Sequence, residues 1–186
     1  MNRRTLAVLA TVTGALIPLA ATRAVAQQGA PPAELAQLGV FIGNWACSGQ
    51  LLATAQYPAH TTTAELHAEK MVDGHWILLR YDEDRTAANP HPYHVAQQLS
   101  YDAAGKRFVS IAVDNVSGSR NSTGSSPGWR GDAMTFDEAM EVNGKHMDSR
   151  DTFTKNDRGE ISHMGSAQDA SGKWVPMDKE TCHRAG

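Results

Sequence analysis

From residue 43 to residue 182, apolar and polar side chains alternate in short runs separated by turn residues, the period-two pattern of half-buried strands. Trp45, Cys47, Gly49 and Leu51 share one face of a first strand. Residues 61–71 form a second, rich in Thr and in alternating Ala and Leu. Val72, Asp73 and Gly74 mark a tight turn, and residues 75–82 return. In residues 93–101, Tyr93, Val95, Gln97, Leu99 and Tyr101 oppose His94, Ala96, Gln98 and Ser100. Residues 102–105 turn the chain into 107–114, where Val109, Ile111 and Val113 form a smooth apolar face opposite Phe108, Ser110, Ala112 and Asp114. Four more runs follow, at 132–140, 147–155, 160–168 and 173–182. Residues 156–159 and 169–172 between them are Asn, Asp, Gly and Ser hairpin chemistry.

This predicts about nine strands at spacings of roughly 10–15 residues, the layout of an antiparallel meander in a sandwich or an up-and-down barrel. The one helical signal lies at the front. Pro31 and Pro32 open a short segment with Leu35 and Leu38 on one side, limited by Gly39 and Gly43. Two loops stand out. Residues 83–92 contain Asn89, Pro90, His91 and Pro92, and residues 116–128 are rich in Ser, Gly and Asn. Loops of this kind at a barrel mouth serve as lids, binding edges or plain solvated connections. Asn115-Val116-Ser117 and Asn121-Ser122-Thr123 match the short glycosylation acceptor pattern.

Residues 1–26 break the strand pattern and read as a cleavable secretory signal. Arg3 and Arg4 are its basic start, residues 6–21 its apolar stretch, and Ala24-Val25-Ala26 a small-x-small cleavage site before Gln27. The division that follows is a signal at 1–26, a linker at 27–34 and one domain at 35–186. The 186-residue chain has 17 basic and 20 acidic residues. Without 1–26, which hold three of the basic residues and none of the acids, 160 residues carry a net charge of −6. That balance argues against nucleic acid and anionic membrane surfaces as partners, and no stable membrane insertion of the mature chain is expected. The location implied is periplasmic or secreted.

Export changes the meaning of the two cysteines. In an oxidising compartment an even count favours a disulfide, here Cys47 with Cys182. The two lie on the first and last predicted strands. A meander whose end strands are bonded neighbours is a closed barrel, and closure also removes exposed sheet edges. The fold class expected is therefore all-β: a closed antiparallel up-and-down barrel of 8–10 strands with a short N-terminal helix.

With that layout on the page, Leu38-Gly39-Val40-Phe41-Ile42-Gly43-Asn44-Trp45 resembles the opening of calycin-type, lipocalin-like barrels, in which a short helix leads into Gly-x-Trp. The order of Phe41 to Trp45, Met71 to Trp76, Leu99 to Asp102, Gly105 to Ser110, Asp114 and Trp129 to Asp132 is similar to the bacterial lipocalin-like family DUF1579, over most of residues 35–182. That resemblance implies a closed barrel with an internal cavity and no established reaction. Gly43-x-Trp45-x-Cys47-x-Gly49 more distantly resembles the haem-binding barrel nitrobindin, with Cys47 at a position where that family has Gly. It implies an axial His late in the chain, for which His163 or His183 stands here.

Candidate chemistry is sparse. Eight histidines form no metal-binding helix pair, and there is no nucleophile elbow or phosphate loop, so neither a metal site nor a cofactor is expected. A barrel interior gathering Glu69, Asp114 and His163 would be an acid–base alternative, as in a hydrolase or isomerase. Ligand-lining candidates are Trp45, Trp76, Arg80, Asp114, Arg150 and His163, with Trp174 as a further apolar wall. Small polar residues on the faces of 94–100 and 108–114 would leave a cavity if they point inward, and parity decides which face that is. The function expected is binding of a small, partly apolar molecule, with the cavity enzyme and the haem binder as alternatives. The oligomeric state is left open.

Overall fold

The computed structural model describes residues 29–53, 58–116, 122–142 and 145–186, with the backbone alone at 141, 142 and 145. The expected leader and its cleavage site, the first residues of the linker, and Ser117 and Asn121 of the two Asn-x-Ser/Thr patterns lie outside the described residues.

A 3-10 helix, Ala33–Phe41, begins two residues before the expected domain boundary and follows Pro32 as its N-cap. Its three-residue repeat suits the sequence, because Leu35, Leu38 and Phe41 fall on one side, and all three are buried. Ten strands follow: β1 (Gly43–Leu51), β2 (His60–Met71), β3 (Trp76–Glu83), β4 (His94–Asp102), β5 (Arg107–Asp114), β6 (Ser122–Ser126), β7 (Ala133–Val142), β8 (Lys145–Lys155), β9 (Ile161–Gln168) and β10 (Trp174–Arg184). Each pairs antiparallel with its neighbours in sequence, and β1 pairs with β10, so the sheet closes on itself.

The strand missing from the sequence reading is β6, placed there in a loop. Ser122-Thr-Gly-Ser-Ser126 has no apolar residue and hence no period-two hydrophobic signal. It is a strand because its backbone completes ladders with β5 and β7.

Closure fixes the parity that sequence left open. On β4 the inward face is Val95, Gln97 and Leu99, and on β5 it is Phe108 and Ser110, both buried. The smooth apolar face of Val109, Ile111 and Val113 therefore lies on the outside. Cys47 and Cys182 are directly opposite across the β1–β10 ladder, bonded, with Cα atoms 4.0 Å apart.

The lumen has two halves. One end is packed with apolar side chains, among them Trp45, Leu79, Leu99, Met134, Phe136 and Phe153, and capped by the 3-10 helix. Trp45 donates its indole N–H to the Phe41 carbonyl at 2.7 Å, and Phe41 packs edge-on against Phe153 with centroids 5.0 Å apart. Trp129 closes the same end, stacked on Phe41 and bonded to the Gln37 carbonyl. The other half of the lumen is polar.

Candidate functional site

The polar half begins where the inner-face pattern switches from apolar to acidic along three strands. Met134 and Phe136 are continued on β7 by Glu138, Phe153 on β8 by Asp151, and Cys182 on β10 by Glu180 and Asp178. On β4 the switch is from Leu99 to Gln97. The Gln97 amide spans the lumen, donating to Ser110 Oγ on β5 at 3.0 Å and to Asp151 Oδ2 on β8, four strands away, at 3.3 Å. Its Nε2 also lies 3.5 Å from Glu138 Oε1. Glu138 further accepts from Ser110 at 2.9 Å and from Ser122 at 3.2 Å. This layer occupies the space that the small inward side chains Ser110 and Ser149 leave, and both serines are buried beneath it.

Beside the layer stands His163 on β9, opposite Phe153 on β8. Its Nδ1 lies 3.0 Å from Asp178 Oδ1 and its Nε2 3.3 Å from Asp151 Oδ1, and the Phe153 ring packs against its imidazole with centroids 5.0 Å apart. Around it, Glu180 accepts from Thr62 at 2.7 Å and from the Tyr81 hydroxyl. Glu83 pairs with His60 at 3.0 Å and accepts the Tyr93 backbone N–H at 2.8 Å. Tyr93 donates its hydroxyl to Asp114 at 3.4 Å, and the Tyr81 and Tyr93 rings are 6.3 Å apart. The side chains of His163, Asp151 and Asp178 keep 23, 26 and 25% exposure. They point into the barrel and keep part of their surface in contact with solvent.

The charges are lopsided. Glu83, Glu138, Asp151, Asp178 and Glu180 line this half, and among the described residues no Lys or Arg side chain joins these five. Burial pushes the Glu138 carboxyl up to about 7, aided by the Asp151 charge and opposed by the Ser110 and Ser122 hydrogen bonds and by His163. Burial alone would lower the His163 imidazole. The Asp178 charge and the hydrogen bonds to both aspartates outweigh it and hold the ring well above its ordinary value. Burial likewise works against an ionised Asp178, yet His163 and the Gly165 N–H keep its carboxyl below the usual range. Burial and the adjacent Glu180 push the Tyr81 phenol upward.

Of the residues singled out from sequence, His163 lies in this half of the lumen and Asp114 at its mouth. Trp45 is part of the apolar floor, and Trp76 is half-buried on the outward face near the closed end. Arg80 and Arg150 are on the outside. Arg150 pairs with Asp137 at 2.6 Å and lies over the Trp174 ring, 3.9 Å from its centroid. Arg80 borders an outer hollow of about 300 Å³ with Asp82, His94 and Val113. A second hollow, of about 700 Å³, is bordered by Val109, Ile111 and Trp174 from the outer face and by Ser110, Glu138 and Ser149 from the inner. Glu69 is exposed beside His67, so parity separates it from Asp114 and His163.

Two roles do not fit the late histidines. A haem iron needs an imidazole nitrogen free to ligate, but both nitrogens of His163 face carboxylates. His183 is on the outside, paired with Glu160 at 3.2 Å. A general base must shed its proton near the working pH, whereas the two aspartates hold the proton on His163. Among the described residues, no group of three or more His, Cys, Asp or Glu converges as a metal site.

Sequence reasoning missed Gln97, Glu138, Asp151, Asp178 and Glu180. The signal was present in part: Asp178 and Glu180 share the face of Cys182, which the disulfide directs inward, and Glu138 and Asp151 extend faces that begin with Phe.

The family described as "Protein of unknown function (DUF1579)" matches residues 30–184. No curated protein matches the chain. Among solved structures, that of Rv2717c from M. tuberculosis is similar, with a TM-score of 0.62 at 12% identity, covering 84% of this chain and 99% of that one. At that identity the likeness is one of fold.

Proposed function

We propose, for a chain that belongs to the DUF1579 family of proteins of unknown function, that it is an exported binding protein whose acid-lined lumen takes a small molecule with a cationic, hydrogen-bond-donating head and a partly apolar body. The observation that carries this is the part-exposed Asp151–His163–Asp178 group, with Glu83, Glu138 and Glu180 around it and no Lys or Arg among the described residues beside these acids. A cation leaving water loses its hydration and needs anionic acceptors in return. The Tyr81 and Tyr93 rings at the mouth offer faces to the same charge and to an apolar body. An anionic ligand would meet mainly carboxylates there, with the His163 charge already paired to Asp151 and Asp178.

Export rests on the signal pattern of residues 1–26 and on the Cys47–Cys182 bond, which suits an oxidising compartment. No helix among the described residues is long and apolar enough to cross a membrane.

Native mass spectrometry of the full chain recovered from the exported fraction of producing cells tests the proposal. A retained small amine or guanidine supports it, together with loss of residues 1–26. A retained fatty acid or other anion overturns it.

A further inference from the structure

Three inner-face glycines stand directly across a strand pair from three of the luminal acids: Gly49 from Glu180, Gly124 from Glu138 and Gly165 from Asp178. None has a positive φ, unlike the turn glycines Gly159 and Gly172, so the backbone conformation does not require glycine at these positions. A glycine within a strand weakens it and marks a close approach. Here the acid makes the approach at Gly165, and shares it with a neighbouring backbone carbonyl at Gly49 and Gly124. A methyl group at Gly165 would collide with the Asp178 carboxyl, one at Gly124 with Cγ of Glu138, and one at Gly49 with Glu180 and the Lys179 carbonyl.

In two cases the acid crosses the glycine's strand to reach its partners. Glu180 leaves β10, passes over β1 at Gly49, and meets Thr62 on β2 and Tyr81 on β3. Glu138 leaves β7, passes over β6 at Gly124, and meets Ser110 on β5. Asp178 lies down on β9 at Gly165, whose N–H donates to it at 3.3 Å, and from there reaches His163.

We propose that Gly49, Gly124 and Gly165 are positioning residues of the luminal site: lacking a Cβ, they let three carboxylates lie flat along the wall, paired with fixed partners and clear of the lumen's centre. The ligand role rests on the function proposed above, whereas the positioning is read on the ligand-free protein.

Gly165 gives the cleanest test, because a methyl there meets only the end of one side chain. In G165A the displaced Asp178 no longer faces His163, leaving Asp151 on β8, Glu180 opposite it on β10 and the more distant Glu138 on β7 as its charged neighbours. The His163 titration midpoint, followed by NMR of its ring, falls by on the order of one pH unit. D178N gives the same fall, and the G165A/D178N double variant falls no further. An unchanged midpoint in folded G165A, or falls that add in the double variant, overturns the proposal. If G165A does not fold, G124A is read on the Glu138 carboxyl resonance: a midpoint moved down from about 7 supports the proposal and an unmoved one overturns it. Phenethylamine binding is measured on the same samples. A His163 shift as described, with no phenethylamine binding by the wild-type protein, leaves the positioning intact and removes the proposed ligand class.

Discussion

Cys47 and Cys182 face each other across the ladder that joins the first strand to the last, and their bond spans 135 residues of sequence. The covalent link therefore lies along the seam where the barrel closes. In the chain-entropy description, releasing a loop of that length costs on the order of 4–5 kcal/mol. The C47S/C182S variant, or the reduced wild-type protein, is expected to lose up to that much unfolding free energy in urea titrations. Barrel circular dichroism should persist under native conditions, because the β1–β10 ladder remains.

The apolar floor and the polar half of the lumen should respond separately to mutation. Leu38 is fully buried in the 3-10 helix that caps the closed end. Replacing it with alanine removes buried area and leaves a cavity, at a cost of about 2–5 kcal/mol. The His163 titration should move little, because its charged partners Asp151 and Asp178 are untouched. Denaturant unfolding and His ring NMR on one L38A sample check both halves of this prediction.

Glu138 makes stability depend on pH. Its carboxyl titrates near 4.5 in an ordinary environment and at about 7 in the barrel. Because the folded value is raised, its contribution is fully present below the unfolded value and is lost as pH rises through about 7. His163, also raised, acts in the same direction, with its contribution lost as pH rises through its own elevated value. Asp178, lowered, contributes above its unfolded value and loses that contribution in acid. Wild-type protein should therefore lose on the order of 3 kcal/mol between pH 5 and 8 through Glu138. E138Q, which stays neutral, should show a visibly flatter profile in denaturant midpoints across the same range.

Much of this architecture could be read from residue order, for identifiable reasons. Turn chemistry and alternation marked nine strands, and two cysteines in a chain expected to be exported closed them into a barrel. The tenth, β6, escaped because Ser, Thr and Gly carry no amphipathic signal. The site was less legible. His163 was singled out, but its partners Asp151 and Asp178 come from strands β8 and β10, and no local motif links them. Arg80 and Arg150 belong to the outer face, which a one-residue change of parity exchanges for the inner. The role of Gly124 or Gly165 is also invisible in one dimension, since each matters through the acid on the neighbouring strand.

Titrating the ligand-free protein with three molecules of one shape tests the central claim most directly: phenethylamine, 2-phenylethanol and phenylacetate, cationic, neutral and anionic in turn. The readout is the ring resonances of His163. Phenethylamine should shift them saturably, more weakly as salt is added and more weakly in D151N, while the alcohol binds poorly and the acid does not bind. Phenylacetate shifting His163 as strongly as the amine, or all three binding alike, would contradict an acid-lined lumen that selects cations.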